Sequence, residues 1–398
     1  MPPTCELRST TPGVWFATMA DIVIIADDLT GALDAAAPFA ARGAVTRVVT
    51  SLPGLATLGE SPPPEVVAIT TESRHLSASA AAERVSEAIH AAQALAPELW
   101  IKKVDSTLRG QVIAECLAAR RCLDRALLVA PAVPAQGRTT HRGRVFVHDE
   151  PLETTAYATD ACSPAQGGDL VALFGRGGVS MSCRADPGVP TAETDCIVDA
   201  ADAGSLDAVA ATLLAATDCW LAVGAAGLTG AVAQRRYGEP IERPPLPVNG
   251  LVLAIGSRSP QAQQQIHRCR TSCPELPVVS ALESDATLPR GNVLLIPGQS
   301  SESWSAHGVA ARMAEVLITS DSGDSSPGRA WCLSGGDTAM AVMVRYGASR
   351  IDVVGEWAPG MVCGYLDGAR PIVTKAGGFG DDEALVALYR YTTKVEGL

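Results

Sequence analysis

Two adjacent carboxylates, Asp27 and Asp28, close the apolar run IVIIA and are followed at once by a helix start, LTGALDAAA. Burying Asp beside Asp is costly unless cations or hydrogen-bond donors take up the charge. Three more polar clusters follow apolar runs in the same half of the chain. They are Ser73, Arg74 and His75 after VVAITTE; Lys102, Lys103, Asp105, Ser106, Thr107 and Arg109 in KKVDSTLRG; and Gln136, Gly137, Arg138 and Thr139 after LLVAPAVPA. In an open parallel sheet, ligands bind beyond the carboxyl ends of the strands, so four such clusters converge on one edge if the runs are parallel strands. Their mixture of carboxylates, cations and hydroxyls, with Thr30 and Gly31 beside the first pair, suits a polyhydroxylated acid. Cations would pair with its carboxylate, and Asp and Ser would take its hydroxyls. Each cluster alone has an ordinary reading, Asp-Asp as a helix cap and KKVDSTLRG as a strand end with a surface ion pair. Joint placement is what favours a site. His141 and His148 sit in no metal-ligand pattern.

The second half offers glycine-rich turns instead. Ser334, Gly335, Gly336, Asp337 and Thr338 stand between WCL and AMAVMVRYG; Gly256, Ser257 and Ser259 lie in AIGSRSPQ; Lys375, Gly377, Gly378 and Gly380 lie in VTKAGGFGDD. Glycines let backbone N–H groups approach a phosphate, and a helix N-terminus favours its charge. One such turn is an ordinary tight turn, whereas three at strand ends point to an anion or nucleotide site. No GxxxxGKS or GxxxxGKT run occurs, which excludes a P-loop kinase, and no GxGxxG follows the first strand of either half.

Positioning these residues requires strands and helices in alternation. DIVIIA, VTRVVT, EVVAIT, LWIKKV and RALLVAP are short β-rich runs separated by Ala-rich helical patterns such as SASAAAERVSEAIHAAQAL, which predicts βαβ repetition and a mainly parallel sheet. Residues 160–192 read as loop-rich. GEPIERPPLPVNG, residues 238–250, has four prolines in thirteen residues and is the best boundary, since it cannot continue a helix or a central strand. Beyond it LVLAIGS opens a second α/β series. The expectation is an N-terminal extension over 1–18, an acid-binding domain over 19–240 and a nucleotide-binding domain over 241–398, two α/β domains with mainly parallel sheets and a cleft between them.

Composition agrees. Apolar residues at 47% with aromatics at only 4% suit helices packed on buried parallel strands. A net charge of −12 argues against a nucleic-acid or anionic-membrane surface. Eleven cysteines without CxxC pairs read as reduced, small hydrophobes, and no apolar stretch reaches the roughly 18 residues of a membrane span, so a cytoplasmic location is expected.

Six motifs in order, IADDLTGALDAA, TESRH, KKVDSTLRG, PAVPAQGRTT, SGGDTA and TKAGGFG, resemble the four-carbon acid sugar kinases, the family of D-threonate, D-erythronate and 3-oxo-tetronate kinases. The resemblance runs from about Met19 to the C-terminus. It implies ATP-dependent phosphorylation of a sugar-acid hydroxyl, with Mg²⁺ accompanying the nucleotide. By motif match, Ser257 or Ser259, Ser334 to Thr338 and the glycines of KAGGFG fall on the nucleotide site. Arg258 and Ala376 depart from the family pattern, which more often has a small residue and a proline there.

Carboxylates repel phosphate, so in this frame Asp27 and Asp28 bind the sugar-acid hydroxyls and Asp28 takes the proton from the attacking oxygen. Lys102, Lys103 and Arg109 are candidates for the substrate carboxylate and the moving phosphoryl group, and Asp28, Lys103 and Arg109 form the expected catalytic set. Thr30, Ser73, Arg74, Asp105, Ser106, Gln136 and Arg138 complete the expected acid site. Asp337 is the candidate Mg²⁺ ligand, directly or through water. Two rival readings are a haloacid-dehalogenase-like phosphatase, which wants Asp-x-Asp, and a non-catalytic sugar-acid-binding protein. The particular acid, its stereochemistry and any homo-oligomer are not legible in the sequence.

Overall fold

The computed structural model describes residues 20–59, 62–159, 163–185, 194–241, 250–298, 303–321 and 329–395. The expected extension over 1–18 and most of the proline-rich boundary, 242–249, lie outside the described residues.

In the first half the strands are β1 (Ile22–Ala26), β2 (Thr46–Val49), β3 (Val66–Thr70), β4 (Leu99–Lys103), β5 (Ala126–Ala130), β6 (Arg138–His141), β7 (Arg144–Val147), β8 (Glu150–Pro151), β9 (Ser182–Arg184), β10 (Cys196–Val198) and β11 (Trp220–Gly224). Between them run α1 (Leu29–Ala40), α2 (Ala78–Ala92), α3 (Val112–Leu123), α4 (Leu170–Arg176) and α5 (Ala203–Ala215), with α6 (Ala226–Tyr237) after β11. The second half contains β12 (Leu251–Ile255), α7 (Pro260–Ser272), β13 (Val278–Ser280), β14 (Val293–Ile296), α8 (Ala306–Asp321), β15 (Ala330–Ser334), α9 (Gly336–Tyr346), β16 (Arg350–Ala358), β17 (Met361–Leu366), β18 (Arg370–Lys375) and α10 (Ala384–Val395).

The strands that carry the site are short runs of β-branched and aliphatic residues buried on both faces, as a parallel sheet covered by helices requires; every residue of β1, β3, β4 and β5 is buried. Polar residues at the strand exits then start the next element: Asp28 caps α1, Ser77 caps α2 and Ser259 caps α7. The stretch expected to be loop-rich contains α4 and β9, whose short lengths left too few repeats for a period to stand out. A separate three-stranded antiparallel ribbon, β6-β7-β8, holds Arg138 at its start.

The α/β class and the parallel pairing are as expected, and the two expected sheets are continuous with each other. One sheet runs β13-β14-β12-β15-β18-β17-β16-β2-β3-β1-β4-β11-β5-β10-β9. Pairing is parallel throughout except at β17–β18, β16–β17 and β16–β2, so the two parallel blocks point in opposite directions where they join. Strand twist of about 20–25° per neighbour accumulates, over the six steps from β1 to β15, to about 120–150°. That rotation undoes most of the reversal and swings the carboxyl ends of the two blocks toward each other. The joint is fixed by charge as well: Asp352 of β16 accepts from Arg47 Nε of β2 at 2.9 Å and from Arg350 Nε at 3.2 Å. Ile22, Leu29, Val48, Val252, Trp331 and Ile351 belong to one apolar cluster that spans both halves. The nine cysteines among the described residues are unpaired, and no described helix is long and apolar enough to cross a membrane.

Candidate active site

At the exit of β1 the chain turns so that Asp28 caps α1. Its Oδ1 accepts the Gly31 N–H at 2.7 Å and its Oδ2 accepts the Thr30 hydroxyl at 2.8 Å. The loop after β3 brings in Arg74, which donates Nε and Nη2 to Asp27 at 2.7 and 3.0 Å, while Nη1 stands 2.5 Å from Asp28 Oδ2. Burial would raise the Asp27 carboxyl, but the charge and hydrogen bond of Arg74, with Lys102 and Lys103 nearby, hold it below the ordinary carboxylate range. After β4, Asp105 accepts from the Thr107 N–H at 2.9 Å and hydroxyl at 2.5 Å, and from Arg109 Nε and Nη2 at 3.2 and 2.8 Å. Against the same burial penalty, Arg109, Arg74 and Thr107 hold Asp105 far below that range.

These groups surround a cavity of about 80 Å³ lined by Asp28, Thr30, Asp34, Arg74, Lys103, Asp105, Ser106 and Arg109 from the first half. Its far wall is Gly360, Val362, Thr374, Ala376 and Phe379 from the second. Lys103 Nζ donates to the Val104 carbonyl at 3.1 Å and lies 4.0 Å from Asp34 Oδ2. Gln136 lines this cavity and also an adjoining one of about 560 Å³ that reaches Arg138, Trp357 and the Gly378–Phe379–Gly380 turn. Arg138 donates to Gln136, and its buried Nε has no hydrogen-bond partner. The Tyr157 ring sits 5.9 Å from both the Arg109 and the Arg138 guanidinium, within cation–π reach of each.

Two expectations of placement are corrected here. Lys102 and Ser73 do not line the cavity; they lie behind it in a closed network, where Lys102 Nζ pairs with Glu115 at 2.8 Å and Ser73 donates to Glu115 at 2.7 Å. Successive strand residues face opposite sides, so of Lys102 and Lys103 only one can face the ligand. Asp28, the expected base, lines the cavity and takes three donors, the Gly31 N–H, the Thr30 hydroxyl and Arg74 Nη1. Asp34 was not read from the sequence at all, although a lone charge four residues after Thr30 in an Ala-rich helix was the available signal.

In the second half the three glycine turns meet. Gly256 and Ser257 donate N–H to the Ser334 carbonyl at 3.1 and 3.2 Å, and Gly335 donates to the Lys375 carbonyl at 3.0 Å. Gly335 has φ +108°, a left-handed conformation that favours glycine, and opens α9. Ser259 donates to the Gly377 carbonyl at 2.8 Å, and a Cβ on Gly377 would lie 2.0 Å from Ser257 Oγ. Three expected ligand residues have buried side chains. Lys375 is fully buried, donates to the carbonyls of Ala376, Gly377 and Phe379, and is pushed down to about 8 by burial; it holds the turn. The side chains of Ser334 and Thr338 are buried, while Asp337 is exposed at the start of α9. Arg258 turns away to the Trp304 carbonyl at 2.9 Å. The α9 N-terminus faces the first site directly: a Cβ on Gly336 would lie 3.8 Å from Thr30 Cγ2.

Comparison with known proteins agrees with this order of parts. A sugar-binding N-terminal domain matches residues 22–232 and a nucleotide-binding C-terminal domain matches residues 296–385. The D-threonate kinase of Bordetella bronchiseptica is 31% identical over 92% of this chain and 96% of its own, and that of Salmonella typhimurium is 31% identical over 92% and 97%. The D-erythronate kinase of Heliobacterium modesticaldum is 39% identical over 37% of this chain and 34% of its own. Among solved structures, a Haemophilus influenzae protein shares the fold at TM-score 0.70 with 18% identity, covering 94% of this chain and 99% of that one. A Bordetella bronchiseptica protein described as a domain-swapped dimer with bound citrate matches at TM-score 0.50 and 27% identity, over 93% and 98%. With both domains matched in sequence order and relatives alike over nearly the whole length, the chain belongs to the four-carbon acid sugar kinase family.

Proposed function

We propose that the protein transfers the γ-phosphoryl group of ATP to a hydroxyl of a four-carbon sugar acid of the threonate or erythronate type. Residues 19–240 would hold the acid and 241–398 the nucleotide. The observation that carries this reading is the small cavity of paired carboxylates and cations whose far wall belongs to the second half, with the α9 N-terminus beside Thr30. Lys103 and Arg109 line that cavity and supply positive charge for the acid's carboxylate and the moving phosphoryl group. Arg138, with its buried and unpartnered Nε, lines the adjoining space. The kinase relatives and the relative described with citrate, itself a hydroxy acid, support an acid ligand.

No group of three or more metal-ligating side chains occurs among the described residues, and Asp337 is one exposed carboxylate at the helix start. That donor set fits a Mg²⁺ held mostly by phosphates and water, with Asp337 as a direct or water-mediated ligand. When bound, the ion neutralises charge on the phosphates. This chain's own residues do the rest: the first turn of α9, which has no side-chain cap, offers backbone N–H groups, Arg74 fixes Asp27 and Asp28, and Asp105 orients Arg109. The domain-swapped relative supports self-association of this chain.

The test is ADP release from Mg-ATP by the purified chain across a panel of four- and five-carbon sugar acids. Turnover confined to four-carbon acids is expected; ADP release independent of any acid would contradict the reading.

A further inference from the structure

The cavity holds one carboxylate that the preceding roles leave unused. Asp34 projects from α1 one turn beyond Thr30 and Gly31 and lines the cavity together with Asp105 and Lys103. Every other carboxylate there is committed. Asp27 is held by two nitrogens of Arg74, Asp28 by Arg74, Thr30 and the Gly31 N–H, and Asp105 by Arg109 and Thr107. No hydrogen bond reaches the Asp34 carboxylate among the described residues, and its cation, Lys103 Nζ, stands at 4.0 Å, beyond hydrogen-bond distance. A half-buried carboxylate that takes no hydrogen bond, among carboxylates that each take two or more donors, is the one best placed to accept a proton.

We propose that Asp34 is the general base of the phosphoryl transfer, an assignment that rests on the kinase function proposed above. In the step, the O–H bond of the sugar-acid hydroxyl breaks and its proton passes to an Asp34 carboxylate oxygen. The hydroxyl oxygen forms a bond to the γ-phosphorus of ATP. The bond from that phosphorus to the β–γ bridging oxygen breaks, and its electron pair leaves on ADP. Neutral Asp34 then returns the proton to solvent. Asp28, which already takes three donors, caps α1 and aligns Arg74.

The surroundings of Asp34 suit the task. It is faced by Lys103 from β4, Asp105 from the turn after β4, Asp28 at the head of α1 and Arg138 from β6. Burial raises its carboxyl, Asp28 and Asp105 raise it further, and Lys103 and Arg138 only partly offset this, so the carboxyl lies above its ordinary value. A raised base is better matched to proton transfer near neutral pH, and it must be ionised to act, so activity falls on the acid side as the pH drops through that value.

Asp34→Asn keeps the shape and loses the base. We expect kcat to fall by roughly 10² to 10⁴ with the KM for ATP little changed. The acid limb of the wild-type pH profile should vanish from the residual activity. Asp34→Glu, which keeps a carboxylate at longer reach, should retain more activity and the limb. Should Asp34→Asn fail to fold, Asp34→Glu and the wild-type limb carry the test, and a wild-type profile with no acid limb above the ordinary carboxylate range would overturn the assignment. So would near-wild-type kcat in folded Asp34→Asn, or a raised KM for the sugar acid with kcat intact, since that marks a binding group. Absence of phosphoryl transfer by the wild-type chain would overturn the kinase reading and this assignment with it; transfer by the wild type with undiminished Asp34→Asn overturns the assignment alone.

Discussion

Arg74 is the residue on which the acid site turns, because one guanidinium binds two neighbouring carboxylates that would otherwise repel each other at the exit of β1. Asp27 is 3% exposed, so removing its partner leaves a buried, unpaired charge. Arg74→Met should therefore cost about 3–5 kcal/mol of stability at neutral pH, read by thermal or denaturant unfolding. The pH dependence should change sign as well. In the wild type the Asp27 carboxyl is depressed below its ordinary 3.8, so its contribution is complete above that value and is lost as the pH falls through the depressed one. In Arg74→Met burial dominates and raises the carboxyl, so stability should recover as the pH falls. Melting curves that track the wild type at every pH would remove Arg74 from this role. The paired aspartates and KKVDSTLRG were legible because polar residues at strand exits mark a ligand edge. Which side chain of a consecutive pair faces the ligand was not, since Lys102 and Lys103 differ only in strand face. Asp34 was hidden inside a helix, where a single charge reads as solvated surface.

Among the elements, the proposed nucleotide region is three turns held against one another rather than one loop. Ser259 caps α7 and also binds the KAGGFG turn, Gln265 of α7 donates to the Phe379 and Asp381 carbonyls, and Lys375 fastens the same turn from below. The turn thus has its shape set before ATP arrives, which limits the ordering cost of binding. Gly377→Ala would place a methyl group 2.0 Å from Ser257 Oγ and force two of the turns apart. We expect the KM for ATP to rise by about tenfold, equivalent to ~1.4 kcal/mol, with sugar-acid binding little changed. An unchanged KM in a folded variant would separate this turn from the nucleotide. The glycine turns themselves stood out in the sequence, and their mutual contacts did not, because residues 256, 335 and 377 are brought together by parallel pairing of β12, β15 and β18, which are far apart in the chain.

For the whole molecule, the order of strands explains how two ligand edges come to share a cavity. The α/β alternation was readable from period and composition, but the β2–β16 joint was not. Its partners are more than 300 residues apart, and antiparallel pairing of two sheet edges leaves no local pattern. That joint, with Asp352 between Arg47 and Arg350, makes one sheet of two blocks and lets twist turn their carboxyl ends inward. The central claim is that a phosphoryl group crosses from the second half to an acid held by the first. The direct measurement supplies the purified chain with Mg-ATP carrying an isotope-labelled γ-phosphate, together with D-threonate or D-erythronate, and analyses the products by mass spectrometry. Label is expected in a sugar-acid phosphate in amounts equal to the ADP formed; label found only in inorganic phosphate, or ADP formed without any phosphorylated acid, would rule out this transfer.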